Sequence, residues 1–230
     1  AYTLLDGQGR FRGLPQPGFE GRVDRLRRPD GTRIALADWQ TAWGGLLAAS
    51  ETVEVFSEAA ARLLRGAYPD LRNIKVTPHQ LVHPVLPVEA PHGPPVIGVL
   101  GNINAHKGGD VVTALSRKLR RGQLVVIGRM APGHGLARGG FEHGAYDVAD
   151  IPALVAHYGI TRWLVPSIWP ETFSFTTHEA LATGLPTYAF DLGAQGDAVR
   201  NAANGHPLEL GMDMDDLLAL LLEQPKRDAT

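Results

Sequence analysis

Apolar positions along this chain follow two regimes. Residues 1–32 are rich in Gly, Pro and Arg and carry no period, so they read as mostly irregular. Residues 32–49 then place Ile34, Leu36, Trp39, Trp43, Leu46 and Leu47 at helical spacing and predict a helix. Residues 52–56 alternate like a short strand. Ser57 follows, with a hydroxyl suited to cap a helix over 58–66, because its oxygen can accept from a first-turn N–H. Residues 73–77 predict a further short strand, stopped by Pro78. Pro84, Pro87, Pro91, Pro94 and Pro95 mark the strongest boundary in the chain.

Beyond that boundary, apolar runs alternate regularly with helical patterns. Strands are expected over 96–100, 123–127, 140–143, 163–165, 186–190 and 207–210. Helices are expected over 110–120, 150–158 (capped by Asp150), 195–203 and 213–223, with another running up to Gly184. Continuous apolar strands are those covered on both faces. The expected fold class is therefore α/β, a Rossmann-like parallel sheet with helices on both faces. The expected division is 1–85, an irregular and helical segment, and 86–230, the sheet domain. Ligands of such sheets bind beyond the carboxyl ends of the strands.

Composition narrows the possibilities. The 230 residues are 44% hydrophobic and 20% charged, a globular balance. Lys and Arg number 22 against 24 Asp and Glu, so no excess of positive charge exists to coat a nucleic acid. Arg10, Arg12, Arg22, Arg25, Arg27, Arg28 and Arg33 cluster locally, which reads first as a solvated surface and second as a contact for an anionic partner or a membrane surface. Without cysteine there is no thiolate chemistry and no disulfide, in keeping with a reducing compartment. No run is long enough to span a membrane and no signal peptide is visible. The chain begins at Ala1 and reads as part of something longer.

The segment from Pro166 to Pro186 carries the chemistry. Glu171 stands in a Pro-bounded turn after an apolar strand, and Glu179 eight positions on, in the opening turns of a helix. Free N–H groups and the dipole make a helix start an anion site. Carboxylates beside it suit hydroxyl groups, since an ionised carboxylate accepts two hydrogen bonds at once. Phosphate plus polyol suggests a nucleotide sugar. A competing reading makes Thr176-Thr177-His178-Glu179 a capping box, with Glu179 merely closing the helix start. The loop from Gly101 to Gly109 offers glycines for close backbone approach and Lys107 as a mobile charge, although an ordinary solvated loop would look the same. His79 and His83 are flanked by prolines with no carboxylate near, so no metal site is expected.

These pieces resemble the retaining glycosyltransferases of the GT-B fold, family 4 (group 1) in particular. Pro166-Ser167, Glu171, Phe173, Glu179-Ala180-Leu181-Ala182, Gly184 and Pro186 fall at the positions of its Glu-(seven residues)-Glu signature. Leu100-Gly101 with Lys107-Gly108 is similar to its phosphate loop. Val53 to Ala59 and Val76 to His79 resemble the segment just before its donor domain. The resemblance implies the C-terminal half of a GT-B fold, with a partial remnant of the N-terminal domain in 1–85. It implies Glu171 and Lys107 as the catalytic pair, with Glu171 beside the donor sugar. Glu179 would hold the ribose hydroxyls. Lys107 would hold the diphosphate together with backbone N–H groups of Ser174, Phe175 and Thr176. Gly101, Asn102 and His106 would complete the phosphate loop, and the base would lie near Gly144-Ala145-Tyr146. No metal and no cofactor are implied, the nucleotide-diphosphate sugar (UDP or GDP type) being the donor substrate.

A glycan or lipid-linked acceptor would reach the site through the N-terminal domain, and the family's usual setting implies the cytoplasm, with the inner face of the membrane as the alternative. Two departures stand out. The family usually carries Arg where this chain has Asn102, which leaves Arg129 or His106 to compensate. It often has Gly where this chain has Ser174. The missing Arg keeps a second reading open, a catalytically inactive nucleotide-binding or scaffolding module.

Overall fold

A computed structural model describes residues 27–223. The expectations for residues 1–26, including Arg10, Arg12, Arg22 and Arg25, lie outside the described residues. The chain divides into two compact units between His79 and Gln80.

In the first unit, α1 (Leu36–Ala49) leads to β1 (Val53–Val55), α2 (Glu58–Ala67) and β2 (Ile74–Val76), and β1 pairs with β2 in parallel. Helix α1 starts later than the expected residue 32, because residues 27–33 close a turn through an Arg27–Arg33 bridge. Ser57 caps α2 as its sequence position demands, its Oγ accepting from the Ala60 N–H at 3.1 Å. Asn73 ties β2 to the end of α1, donating to the Leu47 and Ser50 carbonyls at 3.1 and 2.6 Å.

The second unit is built on β3 (Ile97–Leu100), α3 (Gly109–Lys118), β4 (Leu124–Ile127), β5 (Gly140–Glu142), α4 (Ile151–Tyr158), β6 (Arg162–Val165), α5 (Phe175–Ala182), β7 (Thr187–Phe190), α6 (Gly193–Arg200), β8 (Gly205–Leu208) and α7 (Met214–Leu222). Six strands form one wholly parallel sheet in the order β5-β4-β3-β6-β7-β8. The period-two alternation of strand side chains sends Val99, Leu124, Val126 and Leu164 to one face, against Val112 and Leu115 of α3 and Leu217 and Leu221 of α7. Leu100, Val125, Ile127 and Trp163 go to the other, against Ile151 and Val155 of α4 and Ala180 of α5. Both faces are thus covered, which is why the central strands read as unbroken apolar runs. Each such side chain contributes about 1.5–3 kcal/mol by leaving water.

Two positions in the core explain themselves sterically and electrostatically. Gly98 of β3 pairs with Trp163 of β6, and a Cβ on Gly98 would run into the indole ring. The indole Nε1–H in turn donates to Thr183 Oγ1 at 2.9 Å. Arg162 is a buried cation at the foot of β6. Its Nη1 donates to the carbonyls of Leu221 and Glu223 at 2.9 and 2.7 Å, closing the C-terminal end of α7, where orphan carbonyls and the dipole both favour a positive charge.

The structure departs from the sequence reading in several places. The Pro-rich stretch is no free linker. Val85 is buried in the second unit's core, and the Val88 N–H donates to the Thr183 carbonyl at 2.9 Å. Asp150 makes no side-chain cap, because a single 3-10 turn (Val148–Asp150) winds directly into α4. Helix α6 begins at Gly193 and not at residue 195, and β8 lies two residues earlier than expected.

Candidate functional site

The strand order reverses between β3 and β6. The first strand of the sheet lies in the middle, and the chain winds outward to one side and then to the other. The loops leaving the carboxyl ends of these two neighbouring strands meet at this switch point, the general ligand position of this architecture. They are the loop from Gly101 to Gly108 and the loop from Pro166 to Ser174, the two segments singled out in the sequence.

The loops are locked together by their backbones. Gly108 has φ 75°, and a Cβ there would overlap the Pro166 carbonyl, so only glycine lets the loops approach this closely. The Ile168 N–H donates to the His106 carbonyl at 3.0 Å, and Ser167 Oγ donates to the same oxygen at 3.3 Å. The His106 ring meets the Trp169 ring edge-on, with centroids 5.1 Å apart. Asn104 shapes the turn before α3. Its Oδ1 accepts from the Lys107 N–H at 3.0 Å and its carbonyl accepts from the Gly109 N–H at 2.9 Å.

This frame brings the charged side chains together. Lys107 Nζ lies 3.7 Å from Glu171 Oε1, and the pair is partly open to solvent on the lysine side. Glu179 is only 7% exposed. Burial raises its pKa, and the positive charge of Lys107 opposes that shift without cancelling it. Burial, and then the negative charge of Glu179, push the Tyr146 phenol up to about 12. Lys107, Glu171, Glu179 and Tyr146 therefore sense one another's neighbourhood.

The start of α5 bears on the capping-box reading of Glu179. The helix begins at Phe175 with Ser174 in the N-cap position, so Thr176 is no cap and Glu179 no capping-box partner. The capping-box reading is overturned, because the helix starts two residues earlier than that motif requires. Glu179 shares a helix face with Thr176, three residues before it. A Cβ on Gly101 would lie 3.2 Å from Thr176 Cγ2, so this face turns toward the end of β3. Ser174 makes no cap with its side chain. Its buried Oγ accepts from Thr177 Oγ1 at 2.8 Å, and its carbonyl lies 2.8 Å from His178 Nδ1, so the histidine carries its proton there. The Ser174 hydroxyl is thereby turned inward, and the whole residue is buried.

Other residues named from the sequence lie at the rim. Asn102 and His106 are exposed at the tip of the first loop. Arg129 is exposed after β4, and its carbonyl accepts from the Ile103 N–H at 2.8 Å. Its side chain and that of His106 make no ion pair with Glu171 or Glu179. Phe175 packs edge-on against Phe173, centroids 4.9 Å apart, and is 39% exposed. Among the described residues no cluster of His, Asp and Glu could hold a metal ion. No helix among them is long and apolar enough to cross a membrane.

Gln195 escaped the sequence reading. This fully buried side chain of α6 donates through Nε2 to the Trp169 carbonyl at 2.7 Å, and its Oε1 accepts from the Glu171 N–H at 3.2 Å. A polar residue just inside a predicted helix start carried no signal of partners in another loop.

The domain is a doubly wound α/β sheet with a cation and two carboxylates near its switch point. The particular fold is that of the GT-B glycosyltransferases. The chain resembles sucrose-phosphate synthase from Thermosynechococcus elongatus with a TM-score of 0.61 at 19% identity, over 84% of this chain and 53% of that one. It resembles Anabaena Alr3699/HepE, solved with UDP-glucose, with a TM-score of 0.60 at 18% identity, over 81% of this chain and 57% of that one. The lipopolysaccharide outer core galactosyltransferase WaaB gives 0.55 at 17% identity, over 75% and 52%. The chain thus spans about half the length of these structures. No protein-family model and no curated protein sequence matches it.

Proposed function

We propose that this chain is the donor-binding part of a retaining glycosyltransferase of the family 4 type, which takes a UDP- or GDP-linked sugar and passes it to a glycan or lipid-linked acceptor. The observation that carries this reading is the convergence of Lys107, Glu171 and the buried carboxylate of Glu179 on the β3–β6 switch point.

On this reading Glu179 accepts hydrogen bonds from the two ribose hydroxyls. Lys107 and the first-turn amides of α5, around Phe175 and Thr176, neutralise the diphosphate. Glu171 accepts from a hydroxyl of the donor sugar. As the bond from the anomeric carbon to the diphosphate oxygen breaks, its electron pair leaves with the nucleoside diphosphate, where Lys107 and the amides stabilise it. The acceptor hydroxyl attacks from the same face, and its proton passes to the departing phosphate. No metal is assigned a step. The acceptor enters through an N-terminal domain whose end the segment 1–85 resembles, and the reaction takes place in the cytoplasm.

Asn102 favours a second reading, a nucleotide-binding module that transfers nothing, because one cation of the family pattern is missing. Calorimetry with UDP, GDP, UDP-glucose and GDP-mannose tests the first part of the claim. Binding of one pair is expected, and a folded chain that binds none of the four removes the donor-site reading. Product analysis with the bound sugar and a glycan acceptor separates enzyme from module.

A further inference from the structure

We propose that Gln195 is a positioning residue that sets the Glu171 carboxylate against Lys107. Glu171 sits in an irregular turn between Pro170 and Thr172, with no regular element of its own to fix it. Both of its main-chain polar groups are nevertheless taken by the first turn of α6. Its N–H donates to Gln195 Oε1 at 3.2 Å, and its carbonyl accepts from the Ala194 N–H at 2.9 Å. Gln195 Nε2 holds the other side of the turn through the Trp169 carbonyl at 2.7 Å, with the Ser167 carbonyl at 3.5 Å. Gly193 (φ 59°) brings this helix start so close that a Cβ there would press on Pro170 and Glu171 backbone. The amide is 0% exposed, so no water competes for its bonds. One planar group, with its donor and acceptor used in opposite directions, thereby clamps the turn at residues 169 and 171. Only the Glu171 side chain is left to reach across to Lys107, 3.7 Å away.

What the positioned carboxylate does rests on the donor-site reading, in which it grips the sugar and not the nucleotide. The geometry itself does not depend on that reading. Two measurements on the full chain therefore separate them. In the first, amide hydrogen exchange is followed by NMR in the ligand-free protein. Gln195→Met should speed exchange at Glu171 at least tenfold and leave Val126 and Leu164 unchanged. Gln195→Glu should keep Glu171 protected at acidic pH, where the protonated carboxyl offers the same donor and acceptor, and lose that protection as pH rises. Unchanged exchange at Glu171 in the Met variant, or equal acceleration throughout the core, overturns the positioning role.

In the second, calorimetry compares UDP with UDP-glucose and GDP with GDP-mannose. Gln195→Met should leave nucleotide affinity within about twofold of wild type. It should lower nucleotide-sugar affinity as far as Glu171→Ala does, and the double variant should fall no further. Equal losses for nucleotide and nucleotide sugar, or additive losses in the double variant, overturn the proposal. If the wild-type chain binds neither nucleotide, the donor reading fails, and the exchange experiment still decides what Gln195 does.

Discussion

The ammonium of Lys107 stands 3.7 Å from the carboxylate of Glu171, although the two residues leave the sheet from different strands, β3 and β6. Nothing local joins them. The pairing exists because the parallel register sets Ile97 and Gly98 beside Arg162 and Trp163, and so brings the two carboxyl ends to the same edge. In the ligand-free protein the ion pair satisfies both charges. A diphosphate would draw Lys107 away, and a sugar hydroxyl would take its place on Glu171.

Removing that cation should therefore be felt at the phosphates. Lys107→Ala is expected to weaken UDP or GDP binding by about 1.5–3 kcal/mol, the worth of a charged hydrogen bond. Calorimetry at two salt concentrations checks this. The variant should show the smaller salt dependence, because one screened attraction is gone.

The burial of Glu179 carries a cost in stability. Its pKa is raised in the folded state, so the folded protein holds this proton more tightly than the unfolded chain. The stability linked to that proton is complete below about pH 4.3, the ordinary Glu value. It is lost as pH rises through the higher folded value. Glu179→Gln should thus stabilise the fold at neutral pH by on the order of 1 kcal/mol, roughly 2–4 °C in Tm for a chain of this size. The gain should shrink toward zero in acid. Thermal unfolding at pH 4 and pH 7.5 measures it. The same variant should lose about 1–3 kcal/mol of nucleotide affinity.

Gly108 is required by two independent constraints, its positive φ and the Pro166 carbonyl beside it. Gly108→Ala should cost about 1–2 kcal/mol from the left-handed conformation alone. The clash would add to that cost and displace Lys107 from Glu171. Denaturant unfolding and nucleotide titration should both register the change.

Arg162 offers a test far from the switch point. Arg162→Ala removes the donor that closes α7 onto the sheet, and about 2 kcal/mol of stability should go with it. Nucleotide affinity of the remaining folded protein should be unchanged. A loss of binding would show that α7 and the switch point are coupled.

Much of this architecture was legible from local pattern. The apolar runs of β3, β4 and β6 announced strands covered on both faces, and Ser57 announced a helix start, because each depends on neighbours in sequence. Glu179 was ambiguous, since a capping box and a ligand-facing carboxylate share one motif. The capping box was excluded only by the helix start at Phe175, which depends on where the preceding loop returns. Asp150 misled for a similar reason, being absorbed into a 3-10 turn. Gln195 was invisible because its partners lie 24 and 26 residues away, on a loop whose path no periodicity describes.

The sequence by itself determined which segments are strands and helices and which side chains carry charge into loops, because backbone propensity, apolar period and turn chemistry act over a few residues. Tertiary structure alone decided that β3 lies beside β6, that Gly108 meets Pro166, and that Lys107 lies between Glu171 and Glu179. Strand order is a choice among packings of the same elements, and it is settled by covering both faces of the sheet at once. A site made from the ends of two strands far apart in the chain exists only after that choice.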